Sequence, residues 1–145
     1  MLPPSPDRNF IVYVDDDEDD LDFVSTSLSR YKATLDVLLF EGGKAGYRFL
    51  LELEKTRQKP CLIILDINMP VMSGKELLLI IRSIPFFDDT PIILFSTSNA
   101  ESDYAFAKKY KAGFITKPIG YAQMEVIAEE FLSHCVDEVR EKIKG

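Results

Sequence analysis

Short apolar segments alternate along the chain with longer segments in which apolar residues recur at every third or fourth position. The apolar segments are FIVYV (10–14), DVLLF (36–40), CLIIL (61–65), PIILFS (91–96) and GFITK (113–117). Most of them are continuously apolar rather than alternating, which is typical of strands that are covered on both faces. We therefore expect five strands in a parallel sheet.

The segments that follow these strands have the spacing of amphipathic helices. Their apolar positions are Leu21, Val24, Leu28 and Tyr31; Ala45, Phe49, Leu50 and Leu53; Leu77, Leu78, Ile81 and Ile84; Tyr104, Ala107 and Tyr110; and Met124, Ile127, Phe131, Leu132, Cys135, Val136 and Val139. Five strand–helix units in strict alternation predict an α/β fold, a doubly wound five-stranded parallel sheet with helices on both faces.

Length and composition are those of one domain of an ordinary globular protein. The chain has 145 residues, of which 46% are hydrophobic and 28% are charged. We expect residues 1–8 to form a short disordered lead and residues 9–145 to form a single domain. The last helical pattern extends through DEVREKIKG, so we expect a long C-terminal helix.

Neither a membrane segment nor a secretion signal is recognisable. No apolar run reaches the roughly 18 residues that suggest a membrane span, and MLPPSPDRN has no charged region followed by an apolar one. The two cysteines, Cys61 and Cys135, lie within apolar patterns. We expect buried, reduced thiols in a cytoplasmic protein rather than a disulfide or a metal site.

Acidic charge is concentrated in one place. Residues 15–20 read DDDEDD, and the rest of the 24 acidic residues are nearly balanced by 17 lysines and arginines, for a net charge of −7. The sequence contains no basic stripe, so we do not expect this chain to bind nucleic acid.

Polar side chains follow the predicted strands at the point where each strand ends. They are Asp15 and Asp16 after the first strand, Glu41 after the second, Asp66 after the third, Ser96 at the end of the fourth and Lys117 after the fifth. The carboxyl ends of parallel strands share one edge of the sheet, and ligands bind there where the strand order reverses. We therefore expect these side chains to converge, except Glu41, which belongs to an outer strand.

This set of side chains favours phosphoryl chemistry that depends on Mg²⁺. Carboxylates held close together are costly unless a cation lies among them, and Mg²⁺ prefers oxygen ligands with phosphate oxygens as further partners. A lysine and a hydroxyl at the same edge can bind the other oxygens of a phosphoryl group. An aspartate can itself be a nucleophile, and Asp66 is the candidate.

With these residues in place, the sequence resembles a receiver domain of two-component response regulators, of the stand-alone chemotaxis-regulator (CheY-like) type. The matching pieces are YVDDDEDD, LIILDINMPVMSGKEL, PIILFSTS and GFITKPI, and they occur in family order over roughly residues 9 to 132. The resemblance implies a flavodoxin-like sheet with the strand order 2-1-3-4-5.

The resemblance also assigns a phosphoacceptor and a metal site. Asp66 would accept a phosphoryl group from a phosphohistidine on a partner. Asp15 and Asp16 would hold Mg²⁺ together with Asp66, and the backbone carbonyl of Asn68 would complete the protein ligands. By the same resemblance, the domain would catalyse its own aspartyl phosphorylation and dephosphorylation rather than act as an enzyme on a separate substrate.

Three further residues would form the switch that the resemblance implies. Lys117 would pair with the Asp66 carboxylate and then with the phosphoryl group, and Ser96 would donate a hydrogen bond to a phosphoryl oxygen after transfer. Phe114 stands where the family often has tyrosine, and its ring would swing inward with Ser96. The surface of the fourth helix, fifth strand and fifth helix would then change.

The partners follow from this reading of the sequence. A sensor histidine kinase or a histidine phosphotransfer protein would supply the phosphoryl group, and a downstream protein would read the result. A homodimer through the last helices stays open. Two other functions also stay open: a phosphatase of the haloacid-dehalogenase type, which Asn68 disfavours because that class has D-x-D, and a degenerate receiver that binds partners without phosphorylation.

The remaining acids of the acidic run are expected to behave differently from Asp15 and Asp16. Acids near a helix N-terminus interact favourably with the helix dipole, and we expect one of the residues 17–20 to cap the first helix in water. Asp16→Ala should therefore abolish Mg²⁺-dependent phosphorylation, whereas Asp19→Ala or Asp20→Ala should barely affect it.

Overall fold

Five parallel strands form one sheet in a computed structural model that describes residues 8–118, 120 and 123–135. The strands are β1 (Asn9–Asp15), β2 (Leu35–Glu41), β3 (Leu62–Leu65), β4 (Ile92–Ser96) and β5 (Gly113–Thr116). Their order is β2-β1-β3-β4-β5, and all neighbours pair in parallel. The predicted doubly wound α/β sheet and its strand order are confirmed.

Among the described residues, five helices alternate with these strands. They are α1 (Glu18–Leu28), α2 (Gly43–Thr56), α3 (Gly74–Arg82), α4 (Glu101–Lys109) and α5 (Met124–Ser133). Short 3-10 turns follow α1 at Ser29–Tyr31 and α3 at Pro85–Phe87. The predicted extension of the last helix falls on residues 136–145, which lie outside the described residues.

Alternate residues of the central strands bury themselves in two separate cores. Ile11 and Tyr13 of β1 pack with the buried faces of α1 and α5. Val12 and Val14 of the same strand pack with α2, α3 and α4 on the opposite face. All four side chains have no exposed surface. This double coverage is the reason why the strands are continuously apolar in sequence.

Arg8 and the two cysteines bear on two further expectations. Arg8, at the end of the predicted lead, donates hydrogen bonds to Asp36 at 2.9 Å and to the carbonyl of Lys32 at 2.6 Å. Residues 1–7 lie outside the described residues, so the disordered lead stays a prediction. Cys61 and Cys135 are buried free thiols, as expected, with their Sγ atoms 3.4 Å apart.

Within the part of the chain that the structure describes, no helix is both long and apolar enough to cross a membrane.

Candidate functional site

Two adjacent strands bring the carboxylates of Asp15 and Asp66 to the same edge of the sheet. Asp15 ends β1, and Asp66 follows β3 directly. Val14 pairs with Leu65 in the register of these strands, and the Asp66 amide donates a hydrogen bond to the Val14 carbonyl at 3.0 Å. The strand order reverses between β1 and β3, so this is the position at which doubly wound sheets bind ligands.

Asp16 joins these two residues to form a cluster of three carboxylates. Each of Asp15, Asp16 and Asp66 offers an oxygen atom, and these atoms all lie within 4.8 Å of one another. Asp15 and Asp66 are buried, whereas Asp16 is exposed and leaves the cluster open to solvent. Three carboxylate oxygens at this spacing suit a hard divalent cation, which would relieve their mutual repulsion.

The loop after Asp66 is held tightly against the start of α3. The Gly74 amide donates a hydrogen bond to the Ile67 carbonyl at 3.1 Å. A Cβ atom at Gly74 would meet the Asp66 carbonyl oxygen at 2.0 Å, so only glycine fits there. Asn68 lies in this loop with an exposed side chain. Its backbone carbonyl as a metal ligand stays a prediction.

Lys117 supplies the positive charge of the site. It follows β5, and its amide donates a hydrogen bond to the Ser96 carbonyl at 2.8 Å. Its Nζ atom lies 3.3 Å from Asp66 Oδ1 and 2.8 Å from Asp15 Oδ2. The side chain is only 9% exposed. The expected convergence of this lysine with the carboxylates is therefore present.

Asp20 is a site residue that the sequence interpretation placed wrongly in the solvated part of the acidic run. Its Oδ2 atom lies 2.7 Å from Lys117 Nζ. It is the third residue of α1, one helical turn before Val24, whose side chain has no exposed surface. The helical period was therefore the signal that could have placed Asp20 on the inward face.

The expectation for the rest of the acidic run is confirmed. Asp17, Glu18 and Asp19 are exposed. The Asp17 carboxylate caps α1, accepting hydrogen bonds from the amides of Asp19 at 2.9 Å and Asp20 at 3.3 Å.

Tyr13 is a second residue that sequence reasoning missed. Its buried hydroxyl donates a hydrogen bond to Asp15 Oδ2, and the Asp17 amide donates to Asp15 Oδ1 at 3.0 Å. Residues two apart in a strand point to the same face, so this spacing could have identified the contact. Burial, followed by the charge of Asp15, raises the pKa of Tyr13, so the hydroxyl stays a donor at neutral pH.

The electrostatics of the site are those of a cluster with more negative than positive charge. Burial, followed by the negative charge of Asp15, raises the pKa of Asp66 to about 7, although Lys117 opposes the shift. Burial lowers the pKa of Lys117, but hydrogen bonds to Asp15 and Asp20 outweigh it and leave that pKa above its ordinary value. The lysine therefore stays charged beside carboxylates that repel one another.

Ser96 lies at the same edge, at the start of a braced loop. It ends β4, has no exposed surface, and its Oγ atom accepts a hydrogen bond from the Ser98 amide at 3.3 Å. Ser98 Oγ donates to Asp103 Oδ2 at 2.6 Å, and Asp103 forms a salt bridge with Lys75 of α3. The loop after β4 is thus connected to both neighbouring helices.

Phe114 lies in β5, opposite Leu94 of β4, and is partly buried. Its ring meets the Tyr104 ring edge-on, with 6.3 Å between the centroids. Tyr104 was expected on the buried face of the fourth helix, but its side chain is 59% exposed, and Ala107 is the residue of α4 that is buried. The role of Phe114 as a switch stays a prediction.

Comparisons with known proteins agree with this geometry. The family model for the response regulator receiver domain matches residues 11–129. Response regulator Rcp1 of Synechocystis is 28% identical over 105 residues, which cover 71% of each chain. Stress response regulator protein 1 of Lodderomyces elongisporus is 31% identical over 84 residues, which cover 57% of this chain. The chain spans 22% of that relative and 16% of a third, the cyclic-nucleotide phosphodiesterase regA of Dictyostelium discoideum.

A solved structure also superposes on most of the fold. The phosphorylated cyanobacterial phytochrome response regulator RcpA has a TM-score of 0.77 and 26% identity, and the match covers 87% of this chain and 95% of that one. The family match extends over most of the sequence, including both the acidic cluster and Lys117. The chain therefore belongs to the family of response regulator receiver domains.

Proposed function

We propose that this receiver domain is a signalling switch that accepts a phosphoryl group on Asp66 in a Mg²⁺-dependent reaction. The observation that carries the proposal is the position of Asp66. Its carboxylate is nearly buried at the carboxyl edge of β3, within 4.8 Å of two further carboxylates and 3.3 Å from the Lys117 ammonium. A nucleophile, a candidate cation site and a fixed positive charge thus meet at one point.

The carboxylates of Asp15, Asp16 and Asp66 would hold Mg²⁺, with the Asn68 carbonyl as a further ligand. The bound ion would neutralise charge on the phosphoryl oxygens. The donor is a phosphohistidine of a sensor kinase or a phosphotransfer protein. An Asp66 oxygen forms a bond to phosphorus as the bond to the histidine nitrogen breaks, and the imidazole leaves with that electron pair. Lys117 stabilises the moving negative charge.

The transferred group changes the site because it adds roughly two negative charges. Ser96 donates a hydrogen bond to one of its oxygens and leaves its resting contact with the Ser98 amide, which is 3.3 Å long in this structure. Phe114 follows, and the surface of α4, β5 and α5 changes. Coupling of this kind is typically worth about 1–3 kcal/mol, enough to alter the affinity for a downstream protein.

Intact-protein mass spectrometry tests the proposal. Incubation with Mg²⁺ and acetyl phosphate should add the mass of one phosphoryl group to the wild type. The gain should be absent when EDTA replaces Mg²⁺ and absent in Asp66→Asn. A wild type that gains no mass, or a variant that still does, would overturn the proposal. The first outcome would leave the protein as a binding module that works without phosphorylation.

A further inference from the structure

Three carboxylates surround the ammonium group of Lys117. The Nζ atom lies 2.7 Å from Asp20, 2.8 Å from Asp15 and 3.3 Å from Asp66. An ammonium group has three hydrogens to donate, so the three contacts match its capacity. Asp20 makes the shortest of the three.

Asp20 differs from the other two acids in its relation to a bound cation. Asp15 and Asp66 belong to the group of carboxylates that lie close enough together to share one ion, and Asp20 does not belong to that group. A divalent cation would draw on the oxygens of Asp15 and Asp66 and would repel the nearby ammonium group. Of the three carboxylates, Asp20 alone would then remain fully available to Lys117.

The backbone of α1 holds Asp20 in place for this contact. The Asp20 amide donates to the cap residue Asp17, and the next residue, Leu21, is buried in the core. The side chains of Lys117 and Asp20 are 9% and 29% exposed. Their contact is therefore shielded from water more than an ordinary surface ion pair, whose contribution is usually small.

We propose that Asp20 is a positioning residue, which keeps the Lys117 ammonium beside Asp66 while a cation occupies the carboxylate cluster. This inference rests on the proposed phosphoryl transfer and deepens it. Asp20 touches neither the phosphoryl group nor the cation, and it acts through Lys117. Without Asp20, the Lys117 ammonium moves away from the cluster once a cation is bound there. The incoming phosphoryl group then lacks this positive charge beside Asp66.

A pair of matched variants separates this contact from the general effect of charge. Asp20→Asn and Asp19→Asn each remove one negative charge from the first turn of α1, but Asp19 is exposed to solvent. At saturating Mg²⁺, we expect the rate of phosphorylation by acetyl phosphate to fall about tenfold in Asp20→Asn, because Lys117 loses its position, and to stay near wild type in Asp19→Asn. The Mg²⁺ dissociation constant should change by less than about threefold in both variants, since neither residue is a ligand. Asp20→Glu should restore part of the rate.

A second readout needs no phosphoryl donor. In the protein saturated with Mg²⁺, NMR should detect the ammonium signal of Lys117, since Asp20 still holds its hydrogens. The signal should be lost in Asp20→Asn and kept in Asp19→Asn.

The possible outcomes distinguish this inference from the proposed function. Equal rates in the two asparagine variants, or an ammonium signal that survives in Asp20→Asn saturated with Mg²⁺, would overturn the role of Asp20 alone. A weakening of Mg²⁺ binding as large as the loss of rate would do the same, because it would make Asp20 part of the cation site. A wild type that is not phosphorylated would overturn the proposed function and this role with it.

Discussion

Two partly buried cations of this protein, Lys117 and Arg82, are held by different kinds of acceptor. Arg82 at the end of α3 donates hydrogen bonds to four backbone carbonyls, those of Phe87, Thr90, Tyr110 and Lys111, at distances of 2.9–3.1 Å. Lys117 instead lies among carboxylates that outnumber it. Both cations are well contacted, but their surroundings carry different net charge.

The difference separates a structural contact from the contacts of the proposed phosphorylation site. The carbonyls around Arg82 are neutral groups of the backbone. Their hydrogen bonds to Arg82 connect α3 to the turn after it and to the turn before β5, and no further ligand is needed to satisfy them. The carboxylates around Lys117 repel one another and leave negative charge without a partner. A cation would stabilise such a cluster, and in the proposed function an arriving phosphoryl group rearranges it. In this protein, the partly buried cation that points to function is therefore the one surrounded by surplus negative charge.

The largest effect expected in this comparison comes from removing the positive charge of Lys117. Lys117→Met should slow phosphorylation by acetyl phosphate roughly 10²–10³-fold, because charge on the moving phosphoryl group loses its fixed partner. The time course of the mass gain at saturating Mg²⁺ measures this rate. Lys59→Met is the matched control, since Lys59 pairs with Asp89 at the surface, where the two side chains are 47% and 80% exposed. A Lys117→Met rate within about twofold of the control would contradict a charge-stabilising role.

Removing the positive charge of Arg82 should instead lower the stability of the fold and leave the phosphorylation rate unchanged. Arg82→Met should lower the free energy of unfolding by about 2–3 kcal/mol, because partly buried carbonyls lose their donors, and should leave the phosphorylation rate of the folded protein near wild type. Urea denaturation and the same mass time course measure the two quantities. Arg30→Met serves as the control, because Arg30 meets Glu129 at 3.6 Å on the surface. If the free energy of unfolding of Arg82→Met equals that of the control, the structural role of Arg82 is contradicted.

The third expected effect is a pH dependence of stability in the metal-free protein. The folded state raises the pKa of Asp66 from 3.8 to about 7, so it binds this proton more tightly than the unfolded state does. Stability should therefore fall as the pH rises from about 4 to about 7, by at least about 1 kcal/mol. Urea denaturation in EDTA at several pH values measures the difference between wild type and Asp66→Asn, which lacks this carboxylate. A difference that stays flat or grows with pH would show that Asp66 is not crowded by negative charge.

Most of the fold could be predicted from the sequence because the strands are covered on both faces. Their continuous apolar runs match the observed strands to within one residue at each end. Asp15, Asp66, Ser96 and Lys117 could then be placed at one edge, because parallel strands end together there. This inference needs only the order of strands and helices.

The contacts that sequence reasoning missed depend on directions within single elements. Asp20 meets Lys117 because α1 turns it inward, and Tyr13 meets Asp15 because both point to one face of β1. Residues 15–20 are all acidic, so their charges do not show which side chains point inward and which point to solvent. Tyr104 shows the converse, because its helical spacing suggests burial, whereas its side chain is exposed and Ala107 is buried instead.

The most direct test of the central claim is to locate the phosphoryl group within the chain. The protein is phosphorylated with acetyl phosphate and Mg²⁺, treated with borohydride to convert aspartyl phosphate to homoserine, and cut into peptides for sequencing by mass spectrometry. We expect the converted residue at position 66 and at no other acid of the site. Conversion at Asp15, Asp16 or Asp20, or at none of the acids, would contradict the claim that Asp66 is the phosphoacceptor.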